Sequence, residues 1–518
     1  MSEESSAATS SAVPVSTGTS SGPPSEAAPS VSGLKRNLSV WEAIGVSLAL
    51  MAPSMAANIN PQGTASVLGR AVPLAFALAT VGVLLVAYTF VRLSQRFSHS
   101  GSVYGFVGAT LGPRSGIIAG WLNAGTYIFY GVVTSMAAGR FINDLIITSG
   151  IWSKAPDWMA YVFAWVALAV VWFLASRQAK GGTRVLFIVE TVTVALILIV
   201  TVIVLVKLLG GSAPHGRTFT LSVFSVAGHD VSTVFLGIVF GFLSFAGFEA
   251  AATLGEEARE PKRDIPRAIL GTAIFGGVFF VVVTAVEVMA YGTDAAGIQT
   301  FINSGSLIGD LASSWVTPWL GTVITIGATF SAAACCLATV VGSSRLVFAL
   351  SRDGLGPKPL ASVHDRHGVP HRAVAAAIGA IFVIELAALL IFRSSSLNLF
   401  INSGTSGTLI LLIAYGLATL GCVKLLFFSG APAPGVKPVP KWELIIPILA
   451  MLLLAYTLFR NVIPVPSGTA LWGPGLAIAV LIIVLVVVLA RPAAARRAGE
   501  LLTRSEGLQA ARPTEGEQ

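Results

Sequence analysis

Apolar runs recur along nearly the whole chain, and that recurrence leaves it few structures to adopt. A bilayer core offers no water to satisfy backbone N–H and C=O groups, so a chain built this way crosses lipid as helices that bond internally. Each crossing takes about 20 residues. By that measure twelve spans are expected, at residues 40–66, 72–93, 115–141, 158–176, 184–208, 232–257, 266–291, 316–349, 372–392, 397–427, 442–461 and 470–490. The mean hydropathy of +0.82 and a charged fraction of 11% fit a polytopic membrane protein and leave no soluble core to look for.

The segments around the spans are read from their composition. Residues 1–36 are rich in Ser, Ala, Pro and Gly and are expected to be a disordered tail with no cleaved signal peptide. Of 32 Lys and Arg, all but Arg70, Arg140, Lys154, Lys207, Arg217, Arg393 and Arg460 fall on one side of the span map. The positive-inside rule then places both termini in the cytoplasm, with residues 491–518 as a C-terminal tail whose Arg491, Arg496 and Arg497 meet anionic lipid headgroups. The net charge of +8 is scattered between apolar runs and forms no basic stripe, so nucleic acid is not an expected partner. Three cysteines, two of them the adjacent Cys335 and Cys336, give neither a disulfide framework nor metal-ligand spacing. His364, His367 and His371 in a polar loop read as solvated, so no metal and no cofactor are expected.

Two spans carry interruptions. Pro53 sits in the apolar run SLALMAPSMAANINPQG of span 1, and Gly247 sits beside an acid in GFLSFAGFEAAA of span 6. Proline removes a helical hydrogen bond, and glycine lowers the cost of leaving helical geometry. The breaks lie five spans apart, and because five is odd, a duplicated five-span unit inserts upside down relative to its first copy. The expected architecture is an all-α integral membrane protein with a ten-span inverted-repeat core over residues 37–430, made of spans 1–5 and 6–10. Two extra spans follow over 431–490. At such breaks, one half-helix offers amides and a positive dipole end, and the other offers carbonyls and a negative one. A zwitterion fits both. The expected substrate site comprises Pro53, Ser54, Met55 and Ala56 from span 1 with Leu243, Ser244, Phe245, Ala246 and Gly247 from span 6. The carboxylate is expected on the Ser54 and Met55 amides, and Phe245 is a candidate gate.

The stretch GFEAAATLGEEAREPKRDIPRAI resembles the span 6 to span 7 signature of the amino acid-polyamine-organocation permeases, with Gly247, Phe248, Glu249, Glu256, Glu257, Pro261, Arg263, Ile265 and Pro266 in place. GSSRLVFALSRDGLGPKPLASVHDRHGVP is similar to the loop after span 8, and SGSVYGFVGATLGPRSGIIAGW to the span 2 to span 3 stretch. The resemblance covers about residues 37–490 and implies a leucine-transporter-like fold. It also implies a permease moving an amino acid across the plasma membrane by alternating access, with an amine or polyamine as the alternative substrate. MAPSMA departs from the glycine-rich run with which relatives begin span 1, and Pro53 stands where they often carry a small hydroxyl residue.

A channel is the competing class, but no ring motif or continuous polar face runs through a span. No H-E-x-x-H or Walker-type loop marks an enzyme or an ATP site, so an ion or solute gradient is the expected energy source. Glu249 and Glu190 are the proton-coupling candidates, since an intramembrane acid is costly unless it has work there. Glu385 is expected to make a structural hydrogen bond. Five acids, Glu42, Glu190, Glu249, Glu287 and Glu385, read as embedded without a basic partner. By resemblance to sodium-coupled relatives, Ala332, Ala333 and Ala334 fall where an ion would need side-chain oxygens, so protons or exchange are expected in place of sodium.

Overall fold

The structure, a computed structural model, describes residues 38–97, 103–177, 182–226, 228–255, 257–352, 354–363, 369–429 and 439–505. The N-terminal tail, Glu256, Asp353, His364, Arg366 and His367 lie outside the described residues. Seventeen α-helices follow one another: α1 (Val40–Met51), α2 (Pro53–Leu68), α3 (Val72–Arg96), α4 (Val103–Leu111), α5 (Pro113–Thr148), α6 (Trp158–Ala175), α7 (Gly182–Leu209), α8 (Val231–Phe245), α9 (Pro261–Tyr291), α10 (Ala295–Asn303), α11 (Leu307–Trp315), α12 (Pro318–Arg352), α13 (His371–Leu390), α14 (Ser396–Val423), α15 (Ile445–Val462), α16 (Trp472–Ala490) and α17 (Pro492–Ser505). No strand forms among the described residues.

Among the described residues, eleven helical stretches are long and apolar enough to cross a membrane. The first, Val40–Arg96, is 57 residues long, well over twice the roughly 20 residues of one crossing. It is interrupted at Ala52 and again at Gly69, so α1 and α2 precede the turn into α3. The protein is a multi-span membrane protein, and large apolar side chains on α7 and α16, such as Val202, Val206, Ile483 and Val486, are exposed where lipid would cover them. Four helices, α4, α10, α11 and α17, were not among the expected spans because each is too short to cross. The last lies in the stretch read as a C-terminal tail. It packs against α4 and α5 with Ala495 and Ala498 fully buried, while its Arg496 pairs with Glu500 on the surface.

Packing among the long helices is reciprocal. Helix α3 lies on α9, α5 on α12 and α6 on α13. The contact of α7 with α12 is matched by α14 with α5, that of α7 with α9 by α14 with α3, and that of α1 with α9 by α3 with α8. Each match exchanges a helix with the one five spans later, the pattern of a two-fold-related pair of units. The remaining two spans, α15 and α16, pack on α3, α8 and α14 and on α5 and α14 at the periphery. We call the end of the bundle where α1 begins and α16 finishes the near end, and the opposite one the far end.

Candidate functional site

At the first break Ala52 adopts φ 47° and ψ 57°, a left-handed conformation that turns the chain out of α1, and its own N–H closes α1 on the Leu48 carbonyl. Pro53 then opens α2 at its first position, where a missing N–H costs nothing. The first turn of any helix leaves N–H groups without internal partners, and here each can be followed. Pro53 has none, the Ser54 N–H donates to Glu190 Oε1 at 2.9 Å, and the Met55 N–H donates to Ser331 Oγ at 3.4 Å. The Ala56 N–H reaches the Ala52 carbonyl at 2.9 Å. Glu190 projects from α7 and is almost wholly buried. A carboxylate at a helix N-terminus is stabilised by the amides and by the dipole together.

At the second break α8 stops at Phe245, Gly247 takes φ +101°, and the chain continues as a short 3-10 segment over Ala250–Leu254. An L side chain rarely adopts that φ, and a Cβ on Gly247 would stand 2.9 Å from the Leu50 Cβ. The glycine therefore lets the two breaks touch. Glu249 immediately precedes the 3-10 segment, and its Oε2 is buried with no hydrogen-bond partner. The Tyr415 hydroxyl and the Gly247 and Glu249 backbone amides interact with the carboxyl group. The near-end halves of the two broken helices are tied by the Ala251 N–H donating to Ser47 Oγ at 3.0 Å, and by Leu38 bridging to Ala258.

A cavity of about 720 Å³ lies between these breaks and opens toward the near end. Of the expected site residues, Met55, Leu243, Ala246, Gly247, Glu190 and Glu249 line it. Pro53, Ser54, Ala56 and Ser244 are buried behind the wall, and Phe245 turns into an edge-on contact with Phe280, ring centres 5.4 Å apart. Phe248 packs the same way against Phe90 and Tyr415. Sequence reasoning missed the opposite wall, where α5 contributes Asn123, Thr126, Tyr127, Tyr130 and Thr134. Their spacing of three, one, three and four residues puts them on one face of a helix. A polar stripe inside an apolar span was the signal available for it.

The far end is shut. Helix α2 is buried along nearly its whole length despite the polar run Asn58, Asn60, Gln62 and Thr64, and each of these makes at least one hydrogen bond, although Asn60 Oδ1 and Gln62 Oε1 accept none among the described residues. Asn58 Oδ1 accepts from Ser306 Oγ at 2.9 Å and from the Ile308 and Gly309 amides at 3.0 and 3.2 Å, so it caps α11. Asn60 donates to Ser244 Oγ at 2.8 Å, Gln62 to the Ser304 carbonyl at 2.6 Å, and Thr64 to the Gly237 carbonyl at 3.0 Å. Those bonds bind α2 to α8 and to the α10–α11 segment. Beyond them lies a second cavity of about 700 Å³ lined by Arg140, Asp144, Asp157 and Asp310 among others. Burial holds the Asp310 carboxyl above the usual carboxylate range, against the lowering effect of the Ser304 hydroxyl that bonds it.

The other acids separate by environment. Glu42 is not embedded: it forms a capping box with Ser39 at the exposed start of α1, because the membrane-crossing part of the span begins later. Glu385 accepts from Ser135 Oγ at 2.5 Å, the structural bond expected of it. Glu287 is fully buried with neither oxygen bonded, and nothing in the structure explains it. Ser331 reaches the first break by accepting from the Met55 N–H.

The amino acid permease family model matches residues 41–495. An uncharacterized transporter of Mycobacterium tuberculosis is 30% identical over 412 residues, which cover 76% of this chain and 86% of that protein. A low-affinity putrescine importer of Escherichia coli is 25% identical over 335 residues, covering 63% of this chain and 69% of the importer. A branched-chain amino acid permease of Bacillus subtilis is 26% identical over 319 residues, covering 59% and 65%.

Proposed function

Because the chain belongs to the amino acid permease family, we propose that it is a secondary transporter carrying a small solute with an amino group across the plasma membrane by alternating access. The observation that carries this reading is the pair of helix breaks at Ala52 and Gly247, facing one cavity that is open at the near end and sealed at the far end. With both termini cytoplasmic, that is the inward-open state of a twelve-span carrier. The substrate ammonium faces the carbonyl end of α8 and the cavity-lining Glu249, and an amino acid and an amine both qualify at this level. Glu249 takes up and releases the coupled proton: it lines the cavity, and its energy depends on whether a cation or a proton neutralises it. The near-end charge run that includes Glu257, Glu260 and Arg263 latches the inner gate when the cavity closes.

Purified protein reconstituted into vesicles preloaded with unlabelled putrescine or leucine tests the reading. Labelled putrescine or leucine added outside is expected to enter by exchange against its own kind. Entry that ignores the internal solute and never saturates would mark a channel and overturn the proposal.

A further inference from the structure

We infer that Glu190 is a resident carboxylate that fills the anion half of the site, so that the cavity selects amines over the amino acids from which they differ by a carboxyl group. This inference rests on the transporter reading and narrows its substrate class. The argument is an accounting of donors. A substrate carboxylate at a broken helix needs free amides at the start of the second half-helix. In α2 the first residue is a proline, the second amide belongs to Glu190, the third to Ser331 Oγ, and the fourth to the Ala52 carbonyl. None is left over.

Charge points the same way. A zwitterion seeking the Ser54 amide would bring a second carboxylate against Glu190 in a site shielded from water, where like charges repel strongly. Among the described residues Arg345 is the only basic one lining the cavity, and it stands seven residues beyond Ala338 toward the end of α12, away from the breaks. The cation half offers the reverse picture: Glu249 lines the same cavity, and so do the tyrosines of α5, Thr126 and Thr134. Two acids and apolar surface from Leu243, Leu411 and Val133 around one cavity suit an aliphatic amine or diamine. Serine at Ser331 completes the arrangement by holding the neighbouring amide, which would otherwise be free to receive an anion.

Matched ligand pairs test this on the full-length purified protein. Leucine with isopentylamine and ornithine with putrescine differ by one carboxyl group, and binding of each is read by competition against labelled putrescine and by thermal shift. The wild-type protein is expected to bind the amine at least tenfold more tightly in both pairs. Glu190→Ala frees the Ser54 amide and is expected to narrow that ratio at least tenfold by admitting the amino acid. Glu190→Gln keeps an oxygen for the amide, removes the charge, and is expected to give an intermediate ratio if the alanine variant does not fold. Amino acids binding as well as or better than their amines overturns the inference, as does a ratio unchanged in both variants or no binding by any of the four. Binding with the expected ratio but no exchange in vesicles would overturn the transporter reading and leave the ligand selectivity standing.

Discussion

The two helix breaks do the same geometric job with opposite chemistry. At Ala52 the chain turns through a left-handed alanine and a proline, and every amide exposed by the turn is bonded within the protein. At Gly247 it turns through a glycine that no other residue replaces without strain, and the acid two residues on keeps an unbonded oxygen. The amides of the first break are all taken, and the second break presents an acid that lines the cavity. An intramembrane acid at a cavity wall is costly unless a proton or a cation neutralises it during the transport cycle. The contrast also explains how two spans can be broken in equivalent positions yet bind asymmetrically.

Changes at the second break are expected to have the largest effect. Gly247→Val forces a branched side chain into φ +101° and against Leu50, a strain on the order of 1–3 kcal/mol. It is expected to abolish exchange while leaving Glu190 on its amide. A valine variant with normal exchange rates would show that the backbone at Gly247 does not shape the site. Next in size, Glu249→Gln is expected to leave binding within about tenfold, roughly 1.4 kcal/mol. Exchange should persist, but accumulation and pH dependence should vanish. Glu385→Gln makes the control, because that acid accepts from the Ser135 hydroxyl and does not line the cavity, and its pH profile should match the wild type. Equal profiles for the Glu249 and Glu385 variants would erase the distinction between an acid that lines the cavity and one that does not.

The smallest effect is expected at the far-end closure. Since burial raises the folded-state pKa of Asp310, the native protein holds that proton more tightly than the unfolded chain does. Stability from this group is thus complete below the ordinary carboxylate range and is lost as pH rises toward the raised value. Asp310→Asn removes the penalty and is expected to raise Tm more at pH 8 than at pH 4. A larger gain at pH 4 would mean that the Ser304 bond outweighs burial.

Much of this was legible in the sequence because the bilayer enforces it. Span positions followed from apolar runs, and both breaks followed from Pro53 and Gly247, since each residue type changes what a helix can do locally. Glu190 was visible as an embedded acid, but its partner was not: Ser54 lies 136 positions away in the chain, and no local pattern encodes which amide a side chain will meet. The tyrosines of α5 went unnoticed for the same reason. So did the roles of Asn58 and Gln62, which depend on α10 and α11, whose short amphipathic sequences carry no membrane signal.

Concentrative uptake into vesicles tests the central claim most directly. With an imposed proton gradient, fixed membrane potential, and sodium replaced by choline, labelled putrescine is expected to accumulate above equilibrium at an unchanged initial rate and to leak back when a protonophore is added. A steep dependence on sodium, or accumulation that survives collapse of the proton gradient, would contradict the account.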